Sequence, residues 1–305
     1  MKFLVTGVAG QLGHDVMEQL YSRGFEGVGS DIAPTYSGIT ENSVVSKMPY
    51  VAMDITDSKQ VEEVISLVNP TVVIHCAAWT AVDLAEDEDK KQKVYDINAK
   101  GSENIALACN KIGAKMIYIS TDYVFDGQGE RPWQADDKNY APLNVYGDSK
   151  LKGELAVSGI LEKYFIVRIA WVFGRNGKNF IKTMLNVGRK FPQVKVVADQ
   201  IGTPTYTLDL SRLLVDMALT EKYGYYHATN EGGYISWYDF TKAIFELAKI
   251  ETPVVPVTTL EYGLSKAKRP FNSRLDKEKL VKSGFKPLPD WKDALERYLK
   301  EIGEL

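Results

Sequence analysis

The chain predicts an α/β fold: a doubly wound parallel sheet with a smaller, mostly C-terminal α/β lobe. Three observations carry this. Short, continuous apolar runs alternate with stretches of helical spacing through the first half, the pattern of strands buried on both faces beneath helices. A glycine-rich turn, Gly7-Val8-Ala9-Gly10-Gln11-Leu12-Gly13, separates the first apolar run from the first helical stretch. Beyond Trp171 the alternation loosens into shorter segments.

The elements follow in order. Lys2 to Thr6 is an apolar strand, and Gln11 to Arg23 has helical spacing through Leu12, Val16 and Leu20. Strands follow at Glu26 to Asp31 and Tyr50 to Asp54, with an exposed loop expected over Ala33 to Lys47. A helix runs near Ser58 to Val68, capped by Asp57-Ser58 and stopped by Asn69-Pro70. Thr71 to Cys76 is the fourth strand, Val94 to Lys111 a long helix, and Ala114 to Ser120 the fifth strand. Tyr164 to Ile169 is a further core strand. The smaller lobe takes Asn179 to Arg189, Val194 to Ala198, Leu208 to Leu219, Tyr225 to Ala228, Ser236 to Lys249 and Asp290 to Glu301. The boundary falls near residue 170, although the helix and strand near 207–228 are also eligible for the main sheet.

Composition narrows the function classes. The chain has 305 residues, 45% hydrophobic and 25% charged, enough for a sizeable core. Its net charge is -3 and no Lys/Arg block forms a phosphate-tracking stripe, so polymeric nucleic acid is not an expected partner. The two cysteines, Cys76 and Cys109, lack metal-ligand spacing and read as buried thiols in a reducing compartment. No apolar run is long enough to span a bilayer and no leader pattern opens the chain, so no membrane partner and a cytoplasmic location are expected.

Seven groups of residues carry chemistry. Thr6 to Gly13 has the form TGxxGxxG, in which glycines let backbone approach a pyrophosphate lying at a helix N-terminus. The alternative is a glycine turn needed only for tight packing. Asp31 ends the second strand, where a carboxylate accepts hydrogen bonds from an adenosine ribose and disfavours a 2′-phosphate, pointing to NAD over NADP. Asp54-Ile55 ends the next strand as an adenine contact, or Asp54 is a helix cap.

His75-Cys76-Ala77-Ala78-Trp79-Thr80 closes the fourth strand with small residues, against which a dinucleotide can lie, and His75 itself reads as structural. Asn98, a poor helix former inside a helix, hints at a polar role, with simple exposure the alternative. Ser120 to Phe125 places Thr121 and Asp122 at the carboxyl edge of the sheet, where ligands bind; capping is the other reading of Asp122.

Tyr146 and Lys150 form a YxxxK pair that shares one helix face. A cation there favours the phenolate and would lower the Tyr146 pKa from about 10 toward neutrality, as general acid-base chemistry requires.

TGxxGxxG, Cys76-Ala77-Ala78, Ser120 to Phe125, Tyr146-Gly147-Asp148-Ser149-Lys150 and Arg168-Ile169-Ala170-Trp171-Val172-Phe173-Gly174, in this order, resemble the extended short-chain dehydrogenases/reductases. Within them the chain is similar to the dTDP-4-dehydrorhamnose reductase family. Pro142 to Gly147, Asn179 to Met184, Asp199 to Thr205 and Arg269 to Leu275 extend that resemblance along most of the chain.

The resemblance implies a Rossmann-type NAD(P)-binding domain over 1–170 and a substrate lobe over 171–305. It implies reduction of the C4 keto group of dTDP-6-deoxy-L-lyxo-4-hexulose to dTDP-L-rhamnose, a polysaccharide precursor, with NADPH or NADH as cofactor. Tyr146 would be the proton donor, Lys150 would hold the nicotinamide ribose, and Thr121 would bond the same carbonyl region. Gly7, Gly10, Gln11, Leu12, Gly13, Asp31, Asp54, Ile55, Ala77, Ala78, Trp79 and Thr80 fall at cofactor positions. Thr121, Asp122 and Trp171 fall at sugar-nucleotide positions, and Arg269 and Arg274 are candidates to clamp the diphosphate or to form surface ion pairs. For Trp171 a core role is the alternative. Some relatives form a magnesium-linked homodimer; Glu18 is available for one, but no metal site is assigned. Two other readings stand beside this one: an epimerase or dehydratase for another nucleotide sugar, and a non-catalytic regulatory subunit of the methionine adenosyltransferase beta type. Asp122 fits a dehydratase, but no Glu follows it.

Overall fold

The computed structural model describes residues Met1–Leu305. Strands β1 (Lys2–Thr6), β2 (Glu26–Asp31), β3 (Tyr50–Ala52), β4 (Val72–His75), β5 (Lys115–Thr121) and β6 (Tyr164–Ile169) join a later strand, Gly224–His227, in one seven-stranded sheet. Every neighbouring pair is parallel, in the order Gly224–His227, β6, β5, β4, β1, β2, β3. Strand order reverses between β1 and β4. The chain therefore departs in opposite directions from the carboxyl ends of these two strands and leaves a crevice between them.

Both faces of the sheet are covered, which is why its strands are apolar without alternation. Helix α1 (Gln11–Ser22) shares one face with the helix Thr207–Ala218, burying Leu12, Val16, Leu20, Leu210 and Leu214 against Phe3, Val5 and Phe165. The other face carries α2 (Ser58–Val68), α4 (Ser102–Ile112) and α5 (Val145–Ile160), with α3 (Glu88–Tyr95) leading into α4. A separate aromatic core gathers Phe173, Tyr206, Phe240, Trp291 and Tyr298 between α6 (Phe180–Lys190) and the helices Trp237–Leu247 and Trp291–Glu301.

Two local expectations change. The long helix expected over Val94 to Lys111 is broken by a π-helical turn at Asp96–Gly101. Asn98 lies at this break, fully buried, and its side chain accepts from Trp79 N at 2.8 Å and donates to Ser149 Oγ at 2.9 Å. The helix widens where one side chain must reach two other segments. The loop over Ala33 to Lys47 is mostly irregular, yet Ser43 and Val45 are buried, because the Ser43 hydroxyl bonds His14 Nε2 at 2.8 Å.

Helix α5 is tied to the sheet by a buried, bidentate ion pair. Glu154 accepts from Arg168 Nε and Nη2, each at 2.8 Å, with both side chains inaccessible to water. Arg168 also donates to Tyr140 Oη and the Ala135 carbonyl, so little of its fork is left unpaired. Removing one partner would strand a buried charge, a loss of about 3–5 kcal/mol.

Candidate active site

A cleft of about 780 Å³ runs along the carboxyl ends of β1, β2, β4, β5 and β6. At one end lies the glycine turn. Gly7 has φ +70°, and a Cβ on it would sit 2.6 Å from the Ala77 backbone nitrogen; one on Gly13 would collide with the Gly7 carbonyl. These two glycines let β1, α1 and the segment after β4 approach one another. Gly10 works differently: it is the N-cap of α1 and brings no capping side chain, so the first-turn N–H groups open on the cleft without a protein acceptor. That is the chemistry of an anion site, and it fits a pyrophosphate.

Asp31 reaches back to this turn, accepting from Ala9 N at 3.0 Å and from Ile32 N at 2.8 Å. Both bonds fix the carboxylate at the cleft wall. Asp54 accepts from Thr56 N and Oγ1 at 2.9 and 2.8 Å while still lining the cleft, so it caps a turn and faces the site at once. Gln11, Leu12, Ile55, Ala77, Ala78 and Thr80 line the same stretch. His75 does not: it is buried with Nδ1 2.7 Å from Thr6 Oγ1, and burial pulls its pKa down to about 3. Cys109 is buried as expected, but Cys76 is only half-buried and lines the cleft.

The middle of the cleft holds Thr121, Asp122, Tyr146 and Lys150. Helix α5 begins at Val145 because Asn144 caps it, accepting from Gly147 N at 2.8 Å, and because Glu86 accepts from Val145 N. Tyr146 and Lys150 therefore stand on its first two turns, facing the end of β5. Lys150 Nζ lies 4.1 Å over the Tyr118 ring, whose hydroxyl donates to the Lys150 carbonyl at 3.1 Å. Burial pulls the Lys150 ammonium down to about 7, with Glu154 and Cys76 acting in the opposite direction.

The expected effect of Lys150 on Tyr146 is not what the site shows. Burial holds the Tyr146 phenol well above its ordinary range, and hydrogen bonding with the Thr121 hydroxyl, not the ammonium, is what pulls it back. Tyr146 is thus protonated near neutral pH. Thr121 Oγ1 donates to Asp122 Oδ1 at 2.9 Å and accepts from Tyr123 N at 3.2 Å. Burial pushes the Asp122 carboxyl up to about 6, against the Ser273 and Thr121 hydroxyls, and its Oδ2 lacks a hydrogen-bond partner.

The far wall is aromatic. Trp171, immediately past β6, has φ +51°, a left-handed conformation that a bulky side chain adopts at a strain of about 1–3 kcal/mol. Its ring stacks on Trp237 with centroids 3.7 Å apart and planes 16° from parallel, and both line the cleft. The sequence reading did not single out Trp237, nor Lys178, which also lines the cleft.

Three expected residues are not brought to the cleft lining. Trp79 turns away, its indole N–H donating to the Ala81 carbonyl at 3.0 Å. Arg269 forms a bidentate pair with Asp83 at 2.7 and 3.1 Å, and Arg274 donates to Asn272 Oδ1 at 3.1 Å. On helix α1, ligand atoms of His14, Asp15 and Glu18 lie within 4.8 Å of one another. The His14 nitrogens are engaged by Asp15 at 3.1 Å and Ser43 at 2.8 Å, which leaves Glu18 as the group best able to turn outward. No helix is long and apolar enough to cross a membrane.

Comparison with known proteins places this site in a family. A model described as the RmlD substrate binding domain matches residues 1–304. The spore coat polysaccharide biosynthesis protein SpsK of Bacillus subtilis (strain 168) is 38% identical over 98% of this chain and 97% of its own. The dTDP-4-dehydrorhamnose reductase of Aggregatibacter actinomycetemcomitans is 36% identical over 96% of this chain and 97% of its own. Among solved structures, dTDP-4-dehydrorhamnose reductase from Bacillus anthracis str. Ames in complex with NADP superposes with a TM-score of 0.88 at 39% identity, covering 99% of this chain and 100% of that one. The chain belongs to the dTDP-4-dehydrorhamnose reductase family, within the extended short-chain dehydrogenases/reductases.

Proposed function

We infer that this protein reduces the C4 keto group of dTDP-6-deoxy-L-lyxo-4-hexulose to give dTDP-L-rhamnose, using NADPH or NADH. The observation that carries the reading is the joint lining of one cleft by an uncapped helix N-terminus, the Tyr146 phenol with Lys150 one turn on, and an aromatic wall, in a chain of this family. The domain reading follows from it: residues 1–170 hold the dinucleotide, helped by the helix and strand near 207–228, and 171–305 mainly hold the sugar nucleotide.

Gly7, Gly10, Gln11, Leu12 and Gly13 would hold the dinucleotide's pyrophosphate, Asp31, Asp54 and Ile55 its adenosine end, and Ala77, Ala78 and Thr80 its nicotinamide half. When bound, the dinucleotide supplies the hydride that reduces C4. The protein supplies the proton. Tyr146 donates its phenolic hydrogen to the C4 oxygen, which becomes the alcohol, and Lys150, on the same face of α5, would hold the nicotinamide ribose. The donor must carry its proton when the oxyanion forms, and a phenol held above its ordinary range meets that condition, although the shift is opposite to the lowering that favours rapid proton transfer. Asp31 disfavours a 2′-phosphate, yet its carboxylate is already shared by two backbone N–H groups, so we propose only a modest preference for NADH.

The test is nicotinamide absorbance with purified protein, NADH or NADPH, and enzymatically generated dTDP-6-deoxy-L-lyxo-4-hexulose, with the sugar product identified by mass and NMR. Cofactor oxidation with dTDP-L-rhamnose formed supports the reading. Tyr146→Phe should lower kcat by roughly 10²–10⁴-fold while dinucleotide affinity stays near wild type; normal turnover by this variant would show that the donor is another group.

A further inference from the structure

Trp171 and Trp237 come from different elements of the chain and meet on one wall of the cleft. The first lies just past the end of β6, and its backbone is fixed there: its carbonyl accepts from Thr205 N at 3.2 Å, and the neighbouring Ala170 carbonyl accepts from Thr205 Oγ1 at 2.6 Å. The second opens the helix Trp237–Leu247, whose start is set by a reciprocal capping box between Ser236 and Asp239. Behind Trp237 lies Phe180, with ring centroids 4.4 Å apart, so the indole continues the aromatic core of the smaller lobe into the cleft. On its other flank Trp171 meets Gly202, where a Cβ would lie 3.0 Å from Cε2 of the indole.

A left-handed tryptophan has no local reason to exist. What holds it is the surroundings: a fixed backbone, a glycine that leaves room, and a second indole stacked on it. We propose that Trp237 is a positioning residue for the sugar-nucleotide site, acting through Trp171: the stacked pair fixes one wall of the pocket that receives the flat, apolar faces of a deoxysugar nucleotide. Offset-stacked aromatic pairs supply attraction beyond their buried area, and a rigid wall binds such a ligand with little ordering to be done. The glycine turn lies at the other end of the cleft and is built from backbone, so dinucleotide binding is independent of this pair. The proposal rests on the reading of the cleft as a sugar-nucleotide reductase site.

The experiment compares wild type, Trp237→Ala and Trp237→Phe by steady-state reduction, by titration with NADH and with dTDP, and by far-ultraviolet circular dichroism. Stacked indoles give an exciton couplet. In Trp237→Ala the couplet disappears, KM for the sugar nucleotide and Kd for dTDP rise by roughly two- to tenfold, kcat falls less, and NADH affinity is unchanged. In Trp237→Phe the couplet is lost as well, but stacking persists and KM recovers most of the way. Loss of the couplet with KM and the dTDP affinity both within about twofold of wild type overturns the proposal, as does an equal loss of NADH affinity. If Trp237→Ala fails to fold, Gly202→Ala displaces Trp171 from the other side, and an unchanged KM there overturns it too. Should wild type reduce no sugar nucleotide, the functional reading fails, while the dTDP affinities still decide the role of Trp237.

Discussion

The two ends of the cleft are built from different materials. At the glycine turn the backbone makes the site: N–H groups at the start of α1 are left without acceptors, and Gly7 and Gly13 are there because a Cβ would strike neighbouring main chain. Around Tyr146 and Trp171 the side chains make it, and they do so under strain. Lys150 and Asp122 are ionisable groups removed from water, Tyr146 is half-buried beside them, and Trp171 is held in a conformation it disfavours. A backbone site can coincide with good packing, whereas a site of desolvated charges and rotated aromatics works against it. The first end should therefore lose stability and binding together when altered, and the second should lose function while stability is kept or even improved.

The sharpest way to break this comparison is Gly7→Ala against Gly24→Ala. Both glycines have φ +70°, but a Cβ on Gly24 meets nothing within 4 Å. Gly24→Ala should lose only the backbone strain, about 1–2 kcal/mol, and keep NADH binding. Gly7→Ala adds a main-chain collision, so a loss of roughly 2–5 kcal/mol and of NADH binding is expected. Denaturant unfolding and fluorescence titration measure both. Equal effects in the two variants would mean that the close approach at Ala77 carries no weight.

The same division governs what the sequence discloses. Constraints of the backbone leave marks close together in the chain: TGxxGxxG between strand and helix, Asp31 at the end of β2, and Tyr146 and Lys150 one turn apart on α5. Those residues do meet in the cleft. Constraints set by side-chain packing leave none, because the partners are distant. Nothing near Trp237 in sequence marks its contact with Trp171, and Arg269 reads equally as a diphosphate clamp or a surface ion pair until the fold brings Asp83 to it. Asn98 was visible as an oddity in a helical stretch, but the π turn it sits in depends on Trp79 and Ser149, which belong to other elements.

Smaller effects, opposite in sign, are expected in the middle of the cleft. Lys150 has a folded pKa of about 7 against an ordinary 10.5, so between those values the unfolded chain binds more protons. Stability attributable to this group therefore rises with pH through that window, and at pH 7 and below its burial is a standing penalty. For Asp122 the folded value of about 6 exceeds the ordinary 3.8, so the folded state binds more protons there and stability falls as pH rises from 3.8 to 6. Lys150→Met should be the more stable protein at neutral pH by on the order of 1–3 kcal/mol, with the gain fading toward pH 10.5, and Asp122→Asn should gain less and only above the acid window. Both should be poor reductases. Thermal unfolding across pH checks the signs; a loss of stability in either variant at pH 7 would show that the group is held by contacts strong enough to outweigh its desolvation.

The smallest effect isolates the strain at Trp171. Substitution by Ala or by Gly removes the same indole, the same stack on Trp237 and the same wall of the pocket, so both variants should bind the sugar nucleotide weakly and retain NADH. They differ only in what the backbone tolerates at φ +51°. Alanine keeps a Cβ that opposes the left-handed conformation, whereas glycine adopts it freely, and the flexibility that glycine adds to the unfolded chain only partly offsets this. Trp171→Gly should therefore be the more stable of the two by about 0.5–1 kcal/mol, the reverse of the usual order at a buried strand end. If alanine proves the more stable, the backbone at residue 171 relaxes once the indole is gone. The left-handed turn would then be a consequence of the stack on Trp237, and the hydrogen bonds to Thr205 would not be what fixes it.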